Sequence, residues 1–280
     1  MNTSVFIIKC YGITKDPETN NFMMVMEYAK DGSLRQYLNK NFNSMKNKFS
    51  MLFYILFGLK DIHQKGLIHQ DFHSGNILSM IDECYITDLG LCKPADEKSQ
   101  KNVYGVLPYV APEVLRGKEY TQASDIYGFG IIIYEVFNGL PPYHDMAHDE
   151  FLAVKICQEL RLKFIIKVPQ LLEDIAKQCV DADPLKRPSA DYLHERFGQW
   201  HINLIYDDGG YDGDDICSQI HEVDEFNKKQ PALTNLLSDT KLTYTTHPQA
   251  IYTSRLLNFK NLPEPKNADR KSLEEDYSGN

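Results

Sequence analysis

The chain has 280 residues, 42% apolar and 25% charged, with a formal net charge of −9, a composition that suits a globular protein with room for a good-sized core. Residues 201–280 carry fourteen acids and eight bases, so most of the acidic excess lies at the end, and no basic footprint for nucleic acid is present. No apolar run approaches the ~20 residues of a membrane span, and Val5 to Ile8 is too short a block for a signal-peptide core; a cytoplasmic protein is expected. The six cysteines are scattered without a C-x-x-C pair, which argues for reduced thiols over a metal site or a disulfide framework.

In chain order, IIKCYGI (7–13) and FMMVMEYA (22–29) read as strands joined by the turn cluster TKDPETNN, giving a hairpin. Asp31-Gly32-Ser33 supplies a turn and a helix cap before LRQYL. From Phe49 to His63, Leu52, Tyr54, Ile55, Leu59 and Ile62 recur at helical spacing, and Gly66 punctuates the end. Short apolar pieces follow at Leu67-Ile68, Ile77-Leu78 and Tyr85-Ile86. DIYGFGIIIYEVFNG (125–139) is apolar almost all round, as a core helix should be. Further helices are predicted over about 149–160, 170–180 and 189–197, bounded by Pro169, Pro184 and Pro188. After Trp200 the sequence turns acidic and polar through YDDGGYDGDD, and 201–280 is expected to be largely disordered, with a short helix near 232–238. QAIYTSRLLNF (249–259) carries enough apolar side chains to dock on a partner or back on the domain.

The chemistry-bearing stretch is LIHQDFHSGNIL (67–78), where Asp71 precedes Asn76 by five residues in a loop between apolar pieces. Asp88 follows in D-L-G, Ala111-Pro112-Glu113 comes 25 residues beyond it, Asp125 opens the apolar helix, and Arg187 lies in PLKRPSA. Each has a plainer reading alone: Asp125 as a helix cap, Asp88 as a turn acid, His73 as a polar loop residue. The ordered set is far more specific than any member.

In that set the sequence resembles the eukaryotic protein kinases over roughly residues 5–200, with a C-terminal lobe closest to the tyrosine-kinase-like group. The resemblance implies an α+β, two-lobed kinase fold: a hinge hairpin (7–29) as an incomplete N-lobe, an intact, mainly helical C-lobe (30–200), and the acidic tail (201–280). It implies an ATP- and Mg²⁺-dependent enzyme of intracellular signalling, with a protein substrate and neither nucleic acid nor membrane as partner; the tail is a possible docking segment. Asp71 would accept the proton of the substrate hydroxyl, and Asn76 and Asp88 would hold Mg²⁺. Met26 would be gatekeeper, Glu27 and Ala29 would meet the adenine edge, and Leu78 would lie beneath the purine. His69 and Leu89 would stack in a hydrophobic spine below Cys10. Glu113 and Arg187 would form a buried ion pair, and Asp125 would bond to the catalytic-loop backbone.

The sequence departs from that family in three places. No G-x-G-x-x-G occurs, and Lys9 lies too close to Glu27 to leave room for a helix and two strands; the expectation is a chain truncated in its small lobe. Gln70 stands where many kinases have an arginine that grips a phosphorylated loop, so phosphorylation of Ser99 or Tyr104 is not expected to be the main switch. His73 and Val106 stand where serine/threonine kinases commonly carry lysine and threonine, and the tyrosine-kinase hallmarks are missing as well. The group's usual preference tilts the expectation toward Ser/Thr. The alternative reading is a catalytically inactive, kinase-derived binding or scaffold module.

Overall fold

The computed structural model describes residues 5–40, 44–80, 83–95, 102–206, 216–229 and 244–267. The chain opens with a hairpin, β1 (Cys10–Lys15) and β2 (Phe22–Met26), antiparallel with a bulge between Cys10 and Gly12. Asp16 closes its turn by accepting from the Thr19 hydroxyl (2.8 Å) and the Asn20 N–H (2.9 Å). The first predicted strand is split. Phe6 and Ile8 pair instead with Ile86, far along the chain, and Phe6 packs on Tyr54, Phe57 and Tyr85. Burying that aromatic ring is worth more than extending an exposed hairpin.

Helix α1 (Leu34–Leu38) starts on a capping box in which Ser33 and Gln36 satisfy each other's backbone N–H. Helix α2 (Met45–Gln64), capped by Ser44, buries Phe49, Leu52, Ile55, Leu56, Leu59 and Ile62, the i, i+3, i+4 stripe expected of a core helix. Strand β3 (Leu67–Ile68) pairs with β6 (Lys93–Pro94), and β4 (Ile77–Met80) pairs with β5 (Glu83–Ile86). Strand β7 (Val103–Gly105) and the short helix α3 (Pro112–Leu115) follow.

Helix α4 (Gln122–Asn138) is the centre of the lobe, with every residue from Ser124 to Phe137 buried. A side chain at Gly128 would come within 2.6 Å of the Phe72 carbonyl, so the missing Cβ is what lets this helix press against the loop carrying Asp71. Helices α5 (Glu150–Cys157), α6 (Gln170–Cys179) and α7 (Ala190–Tyr206) complete the bundle. Phe49, Phe137, Phe197 and Trp200 interlock at its heart with ring centroids 4.9–6.2 Å apart. None of the described helices is long and apolar enough to cross a membrane.

Beyond residue 200 the described chain is folded, contrary to the expectation of a largely disordered tail. Helix α7 runs on to Tyr206, and α8 (Ile216–Lys228) buries Ile216, Ile220 and Val223. Residues 244–267 lie across the helical lobe, and β8 (Arg255–Leu257) pairs antiparallel with β7. Apolar side chains spread through a polar sequence, such as Leu257 and Leu262, both buried, supply the anchoring that weak periodicity concealed. The predicted helix near 232–238 lies outside the described residues.

Candidate active site

Asp125 organises the loop that follows β3. Buried at the start of α4, its carboxylate accepts from the His63 imidazole (2.9 Å) and from the backbone N–H groups of His69 (2.8 Å) and Gln70 (3.0 Å). It is therefore more than a helix cap. Gln70 is held at φ 71°, a left-handed conformation that costs a non-glycine residue about 1–3 kcal/mol and survives only where the surroundings enforce it. That turn delivers Asp71.

The Asp71 side chain is buried among hydrogen-bond donors. Asn76 donates its amide nitrogen to the Asp71 carbonyl (3.0 Å) and to Oδ2 (3.2 Å), which turns its own side-chain oxygen away from the aspartate. The Ser254 hydroxyl, from the far end of the chain, donates to Oδ2 at 2.5 Å. Burial alone would raise the Asp71 pKa, but the His73 and Ser254 contacts outweigh it and hold the carboxyl below its ordinary value. Oδ1 is buried without a hydrogen bond among the described residues.

His73, read from the sequence as a polar loop residue, is buried within this group. Its Nδ1 accepts the Gly75 N–H (3.0 Å), which leaves the proton on Nε2, 3.1 Å from Ser254 Oγ and 3.5 Å from Asp71 Oδ1. Ser254 thus accepts from His73 and donates to Asp71. A second buried network was not foreseen either: Glu135 accepts from the hydroxyls of Ser74 (2.9 Å) and Tyr109 (2.5 Å), while Arg35 donates to Tyr109 (3.2 Å) and to the Tyr252 carbonyl (2.8 Å). Its members are spread over more than 200 positions of sequence, and no local pattern joins them.

The other expected residues fall around this centre. Thr87 donates its N–H to the Asn76 carbonyl (3.0 Å), so Asp88, next in sequence, emerges close to Asn76, exposed and at φ 55°. Leu78 is half-buried on β4 and bridges Ser33, just past the hinge. Met26 ends β2, Glu27 gives its N–H to the Lys9 carbonyl (2.9 Å), and the Ala29 carbonyl accepts from Gly32 (3.2 Å). Met26 and Glu27 are exposed.

The expected spine is not assembled. His69 is fully buried, its Nε2 3.1 Å from the Thr87 carbonyl, and burial pulls its pKa below the usual value. Leu89 and Cys10 are both exposed, Leu89 because the left-handed Asp88 turns the chain into a short 3-10 turn facing solvent. Glu113 and Arg187 form the expected ion pair, bidentate at 2.7 Å for both contacts, and Arg187 also donates to the carbonyls of Asp181 and Ala123. The buried thiols are inert by environment: burial pushes Cys84 up to about 12 and Cys157 up to about 11.

The donor set suits a hard cation. The carboxylate of Asp88 and the amide oxygen of Asn76 are both oxygen ligands of the type Mg²⁺ prefers. Among the described residues no group of three or more His, Cys, Asp or Glu could hold a metal, so an ion here would need ligand oxygens to fill its shell, as phosphates provide.

The family described as the protein kinase domain matches residues 1–197. The chain is 28% identical over 196 residues to a probable serine/threonine-protein kinase of Dictyostelium discoideum, covering 68% of this chain and 12% of that protein. It is 30% identical over 191 residues to an Aurora kinase of Schizosaccharomyces pombe, covering 67% of this chain and 52% of the relative. It is 28% identical over 183 residues to Fer-related kinase 1 of Caenorhabditis elegans, covering 64% and 47%. The chain thus spans about half or less of the length of these relatives. The match takes in the Asp71–Asn76 loop braced by Asp125 and the Glu113–Arg187 pair, and the chain belongs to the protein kinase domain family.

Proposed function

We propose that this chain carries the hinge and the substrate-holding lobe of a kinase that transfers the γ-phosphate of ATP to a serine or threonine hydroxyl of a protein, in intracellular signalling. The observation that carries the reading is a serine hydroxyl donating at 2.5 Å to a carboxylate held below its ordinary pKa. In that reading Asp71 takes the proton of the acceptor hydroxyl as its oxygen bonds to the γ-phosphorus, and ADP departs with the bridging oxygen. Asn76 and Asp88 would hold Mg²⁺, which supplies charge neutralisation at the phosphates when bound. Met26, Glu27 and Ala29 at the hinge, with Leu78 on β4, would border the adenine. The names of two relatives, one a probable serine/threonine-protein kinase and one an Aurora kinase, support the enzyme class. The helical lobe's motifs favour the tyrosine-kinase-like group.

A second reading, a kinase-derived binding module, has one observation in its favour. Tyr11, Ile13, Phe22, Met23, Met24, Val25 and Tyr28 are all exposed on the hairpin, and an apolar patch of that size marks a surface built to be covered. Calorimetric titration with Mg²⁺-ATP separates the two. The kinase reading expects saturable, metal-dependent binding that weakens about tenfold or more, ~1.4 kcal/mol, in Asp88→Ala. Absence of binding at millimolar ATP sinks it for this polypeptide and leaves the binding module.

A further inference from the structure

The tail approaches the Asp71 site as an ordered strap held at several points. The Gln249 carbonyl accepts from the His148 N–H (3.0 Å), and the Ile251 N–H donates to His148 Nδ1 (3.1 Å). Tyr252 is gripped from three sides: its ring lies beneath the Arg35 guanidinium (4.7 Å) and against the His148 ring (4.8 Å), and its hydroxyl reaches the Pro142 carbonyl (3.0 Å). Two residues on, Ser254 sits between His73 and Asp71. Arg255 donates to the His148 carbonyl. Residues 255–257 then pair with β7 in the register Gly105↔Arg255, Tyr104↔Leu256 and Val103↔Leu257, and the Leu257 side chain is buried.

This is a mode in which an extended peptide adds a strand to an exposed edge: backbone bonds supply affinity, and pockets for particular side chains supply selectivity. The side chains that hold the strap belong to the helical lobe, and the hydroxyl they deliver stands on Asp71, the carboxylate that takes the acceptor proton in the kinase reading. We propose that residues 249–257 are a tethered substrate mimic, occupying the protein-substrate groove with Ser254 in the acceptor position. The groove's protein substrates are then extended segments with a serine, an aromatic residue two positions before it, arginine directly after it and leucine three positions after it. The proposal rests on the kinase reading for the identity of the groove. His73 is a positioning residue in it, steering the acceptor hydroxyl onto Asp71.

The strap makes the free groove a minor state, so an outside peptide binds with an affinity reduced by the fraction of time the groove is empty. The test is fluorescence anisotropy with a labelled peptide of residues 247–259, against the full 280-residue chain without nucleotide. Ser254→Asp sets a second carboxylate against Asp71 at an exposed position, and Tyr252→Ala with Leu257→Asp removes two anchors. Thermal melting checks that each variant is folded. The expected result is peptide binding at least about tenfold tighter to the loosened chains than to the wild type, a strap closed about nine-tenths of the time. A peptide with alanine at the positions of Tyr252, Arg255 and Leu257 should lose that binding. Equal affinity for wild type and folded variants, including no binding to any of them, overturns the proposal, as does equal binding of the alanine peptide. Because no nucleotide is present, this result is judged apart from the ATP titration. Failure of the peptide test leaves the kinase reading standing, whereas failure of the titration with the peptide result intact leaves a tethered strap over a peptide groove that is not a kinase substrate groove.

Discussion

The hairpin β1–β2 and the helical lobe are nearly opposite solutions to the same chain's chemistry. Both are rich in Ile, Val, Met and Phe. In the lobe these side chains vanish: Ile131, Ile132, Ile133, Val136 and Phe137 on α4 are at most 1% exposed. In the hairpin every strand residue is exposed, including Phe22 at 79% and Ile13 at 71%. The difference teaches that local sequence made both elements, while only the lobe has layers to bury its faces against. A two-stranded ribbon has no interior and marginal stability alone. The hinge residues therefore hang on a weak element, and the Asp71 loop stands on a rigid one.

The largest effect should come from the ion pair beneath the loop. Arg187→Ala leaves the Glu113 carboxylate buried without its bidentate partner, and should cost about 3–5 kcal/mol in denaturant unfolding; a loss under ~1 kcal/mol would show the lobe is as loosely built as the hairpin. Next is Asp125→Ala, which strands the buried N–H groups of His69 and Gln70 at about 1–3 kcal/mol each. Because those amides set the Gln70 turn, the proposed function expects this variant to lose phosphoryl transfer along with stability.

Acidification should separate the regions more gently. Burial lowers the pKa of His69 and also that of His148, so below about 6.5, the ordinary histidine value, the unfolded chain binds protons that the folded chain refuses. Stability of the lobe should fall as pH drops from 7 through 6, before the carboxylates titrate. Asp71, held low in the folded state, loses its contribution only at lower pH. A denaturation midpoint that stays flat between pH 7 and 5 would contradict the buried, neutral histidines. The smallest effect belongs to the hairpin, where Met24→Ser should shift stability by no more than ~0.5 kcal/mol. A loss well above that, measured on the same unfolding curves, would show the face is covered in solution, and the contrast between the two regions would dissolve.

Much of the lobe was legible because its signals are local. The stripe on α2 and the all-apolar run of α4 place those helices within a few residues of where they form, since 3.6-residue periodicity records the buried face. Asp71, Asn76 and Asp88 were recognisable from their order, and Glu113 with Arg187 from the motifs around them. His73 was read as a polar loop residue, and a histidine in such a loop carries no mark of its burial or of its partners. One of those partners, Ser254, lies 181 residues away.

The sequence by itself determined the main helices of the lobe, the cap before α1 and the chemistry available in the loop after β3, because propensity, amphipathic spacing and side-chain type act over a few residues. Only the tertiary structure decided that His63 would join the two loop amides on Asp125, that Arg35, Tyr109 and Glu135 would share a network, and that residues 249–257 would lie against the helical lobe with Ser254 on Asp71. Those contacts bring together groups separated by up to 217 positions. What selects them is the close packing of a buried core and the cost of leaving a polar group unpaired within it.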